Sequence, residues 1–224
     1  MTTRTLPWFE TLTDSVYALG AAAREAQRAY RSALIACDQY ALERLRPIDG
    51  AVTLTGEPSS TLPYRPHDHA LFAIGDVLAG QRDRLRTLYS RTAHSYAYGT
   101  TWALLRVLDG DQPPHVAIQR TADGYDVIPH ELCPIPPAMP RLERWVGHGR
   151  LESARQRMLR CDEAGDFADD LSDQPELSDH DAGLFHDALD VAGGLPDAAY
   201  AYGEQAENAL HFALLEPRTQ HRTQ

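Results

Sequence analysis

From Phe9 onward the apolar residues recur at three- and four-residue intervals: Phe9, Leu12, Val16, Leu19, Ala23, Ala26, Tyr30, Ala33, Cys37 and Tyr40. Alternating threes and fours keep side chains on one stripe of an α-helix, whereas a half-buried strand would need an interval of two. The pattern predicts a helix of about five heptads that ends before Pro47, because a proline cannot continue the hydrogen-bond ladder. Asp14, Arg24, Glu25, Arg28, Arg31 and Asp38 fall on the other side and read as a solvated face rather than a binding patch.

A long helix with one apolar stripe needs a second surface to cover it. A matching pattern starts near Asp68, read as an N-cap, and runs through Leu71, Ile74, Leu78, Leu85, Leu88, Thr92, Tyr96, Gly99 and Trp102 toward Leu108. Asp109, Gly110, Pro113 and Pro114 stop it. Packed antiparallel across the loop from 47 to 66, the two helices set the small Ala22, Ala23 and Ala26 opposite the bulky Tyr89 and Tyr96, which is how a tight seam fills. Val116–Gln119 and Tyr125–Ile128 flank the turn signal Ala122-Asp123-Gly124 and predict a β-hairpin, with Val52–Thr55 as a third strand.

Five prolines between Pro129 and Pro140 forbid regular structure and mark the best boundary in the chain. Beyond it, residues 141–160 hold six arginines and two glutamates, while 162–181 hold nine acidic residues and no arginine, so each segment is expected to neutralise the other. Leu184, Phe185, Ala188, Leu189 and Ala192 then form one short amphipathic helix. Pro196 opens another that carries Ala199, Tyr202, Ala206, Leu210 and Ala213 inward. The expected fold class is mainly α: a long antiparallel helical hairpin with a small antiparallel β-hairpin and a C-terminal helical pair. The expected organisation is a hairpin with a β element over 1–128, a proline-rich crossing over 129–140 and a helical region with an acidic segment over 141–224.

Composition removes whole classes of chemistry. All 21 basic residues are arginine and lysine is absent, which excludes a Schiff-base lysine, a P-loop lysine and the strand lysine of a protein kinase. The abundant Ala, Arg, Asp and Pro make a high-G+C coding sequence the economical source of that bias. A net charge of −11 works against binding nucleic acid or an anionic membrane. Cys37, Cys133 and Cys161 form no CxxC pair and are odd in number, as expected of free thiols in a reducing cytoplasm. No leader or membrane span is read in the sequence, and the chain is placed in the cytoplasm.

Each candidate site also has a plainer role. His180, Asp181, His186, Asp187 and Asp190 with Glu204, Glu207 and His211 form the richest potential metal set. At about 100° per residue, however, His186, Asp187 and Asp190, and likewise Glu204, Glu207 and His211, lie opposite the apolar stripes of their helices, on faces expected to be solvated. His67 and His69 flank the capping Asp68 without an evident third ligand. Asp169-Asp170-Leu171-Ser172-Asp173 spells the DDxxD string by which class I terpene synthases hold magnesium, but no second metal motif follows. Arg82, Arg84, Arg86 and Arg91 do not make one stripe on the second helix, which weighs against a groove-binding surface. No metal and no cofactor are expected. His94, Tyr96, Tyr98, Arg120, His130 and His148, the last between two glycines, remain as catalytic candidates with nothing in the sequence to bring them together.

The expected function is a noncatalytic interaction or regulatory protein that docks a protein partner, or a second copy of itself, through helical surfaces. A small-molecule enzyme with a pocket between the hairpin and the C-terminal helices is the alternative, and a nucleic-acid-binding regulator ranks below both.

Overall fold

The computed structural model describes residues 7–45, 66–109, 118–121, 124–127, 135–136, 148–174 and 177–215. Over these residues the chain is mainly helical: α1 (Pro7–Leu45), α2 (Pro66–Asp109), α3 (His148–Ser172), α4 (Asp179–Ala192) and α5 (Leu195–Leu215). Both long helices begin on a proline, whose fixed φ suits the first helical position and whose missing N–H would have had no intrahelical partner. Asp68 therefore lies within the first turn of α2 rather than at its cap. Between α2 and α3, β1 (Ile118–Thr121) pairs antiparallel with β2 (Gly124–Val127), in the register Ile118 to Val127 and Thr121 to Gly124. A two-stranded ladder this short is not stable by itself, so the fold class rests on the helices. The expected third strand at 52–55 lies outside the described residues, as do the loop at 47–65 and all of the proline-rich crossing except 135–136.

Two compact units divide the chain: Met1–Arg24 with Tyr89–Gln224, and Glu25–Leu88. In the first, Val16, Leu19, Ala22 and Ala23 of α1 and Tyr89, Ala93, Tyr96, Ala97, Ala103 and Leu104 of α2 are buried, together with most of one side of α5. In the second, the Cys37 thiol lies 3.7 Å from the Leu78 carbonyl oxygen, and a Cβ on Gly75 would stand 3.1 Å from the Tyr40 ring. One number rises as the other falls, so these stretches of α1 and α2 run antiparallel. The charged face expected on α1 is exposed at Asp14, Arg24, Glu25, Arg28, Arg31 and Asp38.

The C-terminal region holds three helices among the described residues, not the expected pair. The helix missed, α3, buries Leu151, Met158, Cys161, Ala168 and Leu171 in alternating steps of seven and three, with half-buried Ala154 and Gly165 filling the same row. Small residues in that row carry little hydrophobic signal, and the abrupt change of charge along the helix masks its period. α3 packs against α4 and α5. Close approach to α4 uses small residues: a Cβ on Gly165 would sit 3.8 Å from the Ala192 Cβ, and one on Gly194 would sit 3.7 Å from the Cys161 sulfur. Ser178 caps α4, its Oγ accepting from the Asp181 N–H at 3.2 Å and donating to Asp181 Oδ2 at 2.6 Å.

Within α3, Arg150, Arg155, Arg157 and Arg160 precede Asp162, Glu163, Asp166, Asp169 and Asp170 along one helix. No ion pair joins Arg150, Arg155, Arg157 or Arg160 to the acids of 162–181 among the described residues; Arg155 instead bonds Glu152 at 3.1 Å and the Pro136 carbonyl at 2.8 Å. Arginine lies toward the N-terminus and aspartate in the last turns, the reverse of what the helix dipole favours. Neutralising Asp169 and Asp170 together, as D169N/D170N, is expected to raise the thermal midpoint by roughly 1–4 °C at low salt, with the gain shrinking as salt is added; differential scanning calorimetry at two salt concentrations checks this.

Candidate functional site

Two opposite faces of α5 are occupied. One carries Ala198, Ala199, Tyr202, Ala206, Ala209 and Leu210, all buried. The other is the row Asp197, Tyr200, Glu204, Glu207 and His211, stepping by three and four, of which Glu204, Glu207 and His211 are expected on a solvated face. Instead it meets α1 and α2. Tyr96 of α2 donates its hydroxyl to Glu207 Oε2, and Tyr89 donates to Asp197 Oδ1 at 2.5 Å. Within α5, Tyr200 donates to Glu204 Oε1 at 3.0 Å. Tyr17 of α1 lies 2.8 Å from His211 Nε2, and that same nitrogen is 3.8 Å from Glu207 Oε1. Glu204, Glu207 and His211 do lie opposite the apolar stripe, but this side is half-buried rather than solvated, because α1 and α2 meet it.

Tyr96 is the centre of the cluster and is wholly buried. Its ring lies between two helix-interior glycines. A Cβ on Gly203 of α5 would fall 2.7 Å from Tyr96 Cε1 and 2.9 Å from Cγ; one on Gly20 of α1 would fall 3.1 Å from Tyr96 Cε2 and 3.1 Å from Glu207 Oε2. Glycine costs about 1 kcal/mol relative to alanine inside a helix, so two of them facing one ring mark a seam that needs the space. The Tyr200 ring is 6.0 Å from that of Tyr96 and 6.5 Å from that of Tyr89, within the range of tilted aromatic contacts.

The electrostatics act in one direction. Burial, reinforced by the hydrogen bond to Glu207 and its charge, pushes the Tyr96 phenol far above its ordinary value, and the Arg24 guanidinium opposes this only in part. Burial and Glu204 raise Tyr200, again against Arg24. Burial pushes Tyr202 up to about 12. A tyrosine that serves as a general acid or nucleophile near neutral pH needs the opposite shift. The row can hold protons and fix three helices; as it stands it does not activate a phenol.

Of the six catalytic candidates, only Tyr96 belongs to this cluster. His94 is turned to its own helix, with Nδ1 2.8 Å from the Ser90 carbonyl oxygen. Tyr98 is half-buried and points, like His94, about 160–200° away from Tyr96 around α2. Arg120 lies in β1 with its backbone opposite Tyr125. His130 lies outside the described residues, and His148 is the first residue of α3, with its side chain also outside them. His186, Asp187 and Asp190 are exposed on the outer side of α4, and Asp169 and Asp170 of the DDxxD string are exposed on α3. Among the described residues no group of three or more His, Cys, Asp or Glu side chains is arranged to hold a metal ion, and no helix is long and apolar enough to cross a membrane. Sequence reasoning did not single out Tyr17, Asp197 or Tyr200, and it set Glu204, Glu207 and His211 on a solvated face. Two signals pointed to them: the polar three-four row on α5, and mid-helix glycines at 20 and 203. No protein-family model, curated protein or solved structure matches this chain.

Gly203→Ala is expected to lower stability by roughly 1–3 kcal/mol despite the gain of about 1 kcal/mol in helix propensity, because the added methyl overlaps the Tyr96 ring. Combined with Tyr96→Leu it should become neutral or stabilising, and a double-mutant cycle by urea denaturation reads the coupling. For pH, the sign follows from phenols that bind their protons more tightly when folded. Their contribution is fully present below about pH 10, where unfolded tyrosines begin to ionise, and is lost as pH rises further. Stability should thus fall steeply above pH 10, with phenolate absorbance at 295 nm rising together with loss of helical circular dichroism, and Tyr96→Phe should flatten that slope.

Proposed function

We propose that this chain is a noncatalytic interaction or regulatory protein that docks a protein partner through the helical surface of Glu25–Leu88. The observation that carries this reading is the exposure of Ile35 (57%), Ile74 (50%) and Val77 (69%) in a unit whose buried apolar residues, among those described, are Ala26 and Ala33. Single exposed apolar residues are ordinary. Here they accompany two long helical stretches that, among the described residues, bury only alanine fully, and covering each large side chain would contribute roughly 1.5–3 kcal/mol. The Tyr96 cluster supports the noncatalytic side of the reading, since its phenol is held protonated rather than activated.

A photo-crosslinking amino acid at Val77 tests the docking surface in cells that produce the chain. Adducts are expected from Val77 and not from the exposed Asp14 of α1, and Ile74→Asp should remove them. Equal labelling from both positions, or none from Val77, would count against the reading.

A further inference from the structure

We propose that α3 and α4 together form a second docking surface, and that its partner is a cationic amphipathic helix of another protein. This surface is independent of the one on Glu25–Leu88. The seam between the two helices is fixed at two points: a Cβ on Gly165 would lie 3.8 Å from the Ala192 Cβ, and one on Gly194 would lie 3.7 Å from the Cys161 sulfur. As the number rises along α3 it falls along α4, so the two run antiparallel. Cys161, Gly165 and Ala168 of α3 and Phe185, Ala188 and Ala192 of α4 form the facing rows, each residue buried or half-buried. A residue one position before a seam residue is turned about 100° from it. In an antiparallel pair, the same turn in both helices leads to the same side. That side carries Arg160, Ala164 and Phe167 of α3 and Leu184, Asp187 and Val191 of α4. Its large apolar side chains are open to water, with Phe167 45% exposed, Leu184 37% and Val191 49%.

Shape and charge together select the occupant. From Leu184 to Val191 the apolar side chains span seven steps along α4, about 10 Å or two helical turns. Two adjacent helices leave a groove along their seam that the ridge of a third helix can enter, with anchors at i, i+3 or i+4, and i+7. Around this groove the sign of charge is uniform. From Cys161 to Ala192 the chain carries eleven Asp and Glu and no Arg. Glu163 and Asp170, four before and three after Phe167, lie beside it on α3. Asp187, three after Leu184 and four before Val191, lies beside both on α4, and all three carboxylates are exposed. Among the described residues no ion pair reaches the carboxylates of this stretch. Asp169 and Asp170 also stand at the negative end of the α3 dipole. The free chain bears the cost of that repulsion, and a partner with Lys or Arg beside its apolar stripe relieves it while covering Phe167, Leu184 and Val191. Nucleic acid and anionic lipid carry the wrong sign for this site.

The probe is a fluorescent synthetic peptide of Leu and Lys alone, about four helical turns long with leucine at three-four spacing, titrated into the full chain by anisotropy. Saturable binding that weakens with added salt is expected. Phe167→Ser and Val191→Ser, at exposed positions and without change of charge, should each weaken it roughly tenfold with helical circular dichroism unchanged. The triple variant E163Q/D170N/D187N should weaken it at low salt and flatten the salt dependence, whereas Val77→Ser should leave it as it was. No binding, equal binding of a scrambled Leu/Lys peptide, or undiminished binding to F167S and V191S overturns the proposal. So does equal binding of the peptide with Glu in place of Lys, which would remove charge as the selector, or a loss in Val77→Ser, which would place the peptide on the other unit. A salt-sensitive homodimer that Phe167→Ser abolishes would make a second copy the occupant and equally overturns it. The Val77 photoadduct reports on Glu25–Leu88 separately, so either surface can fail alone.

Discussion

The first unit depends on the place of one ring. Tyr96 sits between Gly20 of α1 and Gly203 of α5, with its hydroxyl bonded to Glu207, so three helices are joined at one buried point. A smaller residue at 96 would leave a void against two glycines, and a larger residue at 20 or 203 would meet the ring. The carboxylate partner is equally required, because a buried phenol without an acceptor carries a desolvation penalty. Tyr89 with Asp197 and Tyr200 with Glu204 repeat the solution along α5, and Tyr17 with His211 ends the row at a more exposed position. Bulk and polarity are thus supplied by the same side chains.

That arrangement follows from how little large apolar material the core contains. Ala22, Ala23, Ala93, Ala97, Ala103, Ala168, Ala188, Ala198, Ala199, Ala206 and Ala209 are buried. Alanine allows helix axes to approach closely but removes little apolar area from water per residue. Tyrosines fill the remaining space, and their hydroxyls need acceptors, which α5 provides as a row of carboxylates. In α3 the arginine-to-aspartate order opposes the helix dipole, so its stability rests on the Leu151, Met158, Cys161, Ala168 and Leu171 row against α4 and α5.

The Glu25–Leu88 unit presents a different balance. The same two helices continue through it without the α5 row, and its fully buried apolar residues among those described are alanines. Two antiparallel helices cover one stripe of each other and leave both outer sides open. Apolar side chains on such a side are either a cost in water or a surface for something else, which is why this unit rather than the Tyr96 cluster carries the functional reading.

The positions of α1 and α2 were legible because their apolar period is long and continuous, and the inward row Ala199, Tyr202, Ala206 and Leu210 of α5 was legible for the same reason; on α4 the expected apolar stripe buries Ala188 but leaves Leu184 and Leu189 exposed, because a short stripe does not fix which part of it a neighbour covers. α3 was hidden because its core row is broken by Ala154, Gly165 and Ala168, which weigh little as apolar signals. The candidate site was legible only at Tyr96. By itself the sequence determined where the long helices run and which side of each is apolar, since both are set by local periodicity and by prolines that stop a backbone ladder. Only the tertiary structure decided that the opposite, polar side of α5 is also covered. That depends on which helices reach it, and a residue's own spacing cannot tell a carboxylate facing water from one facing a buried phenol.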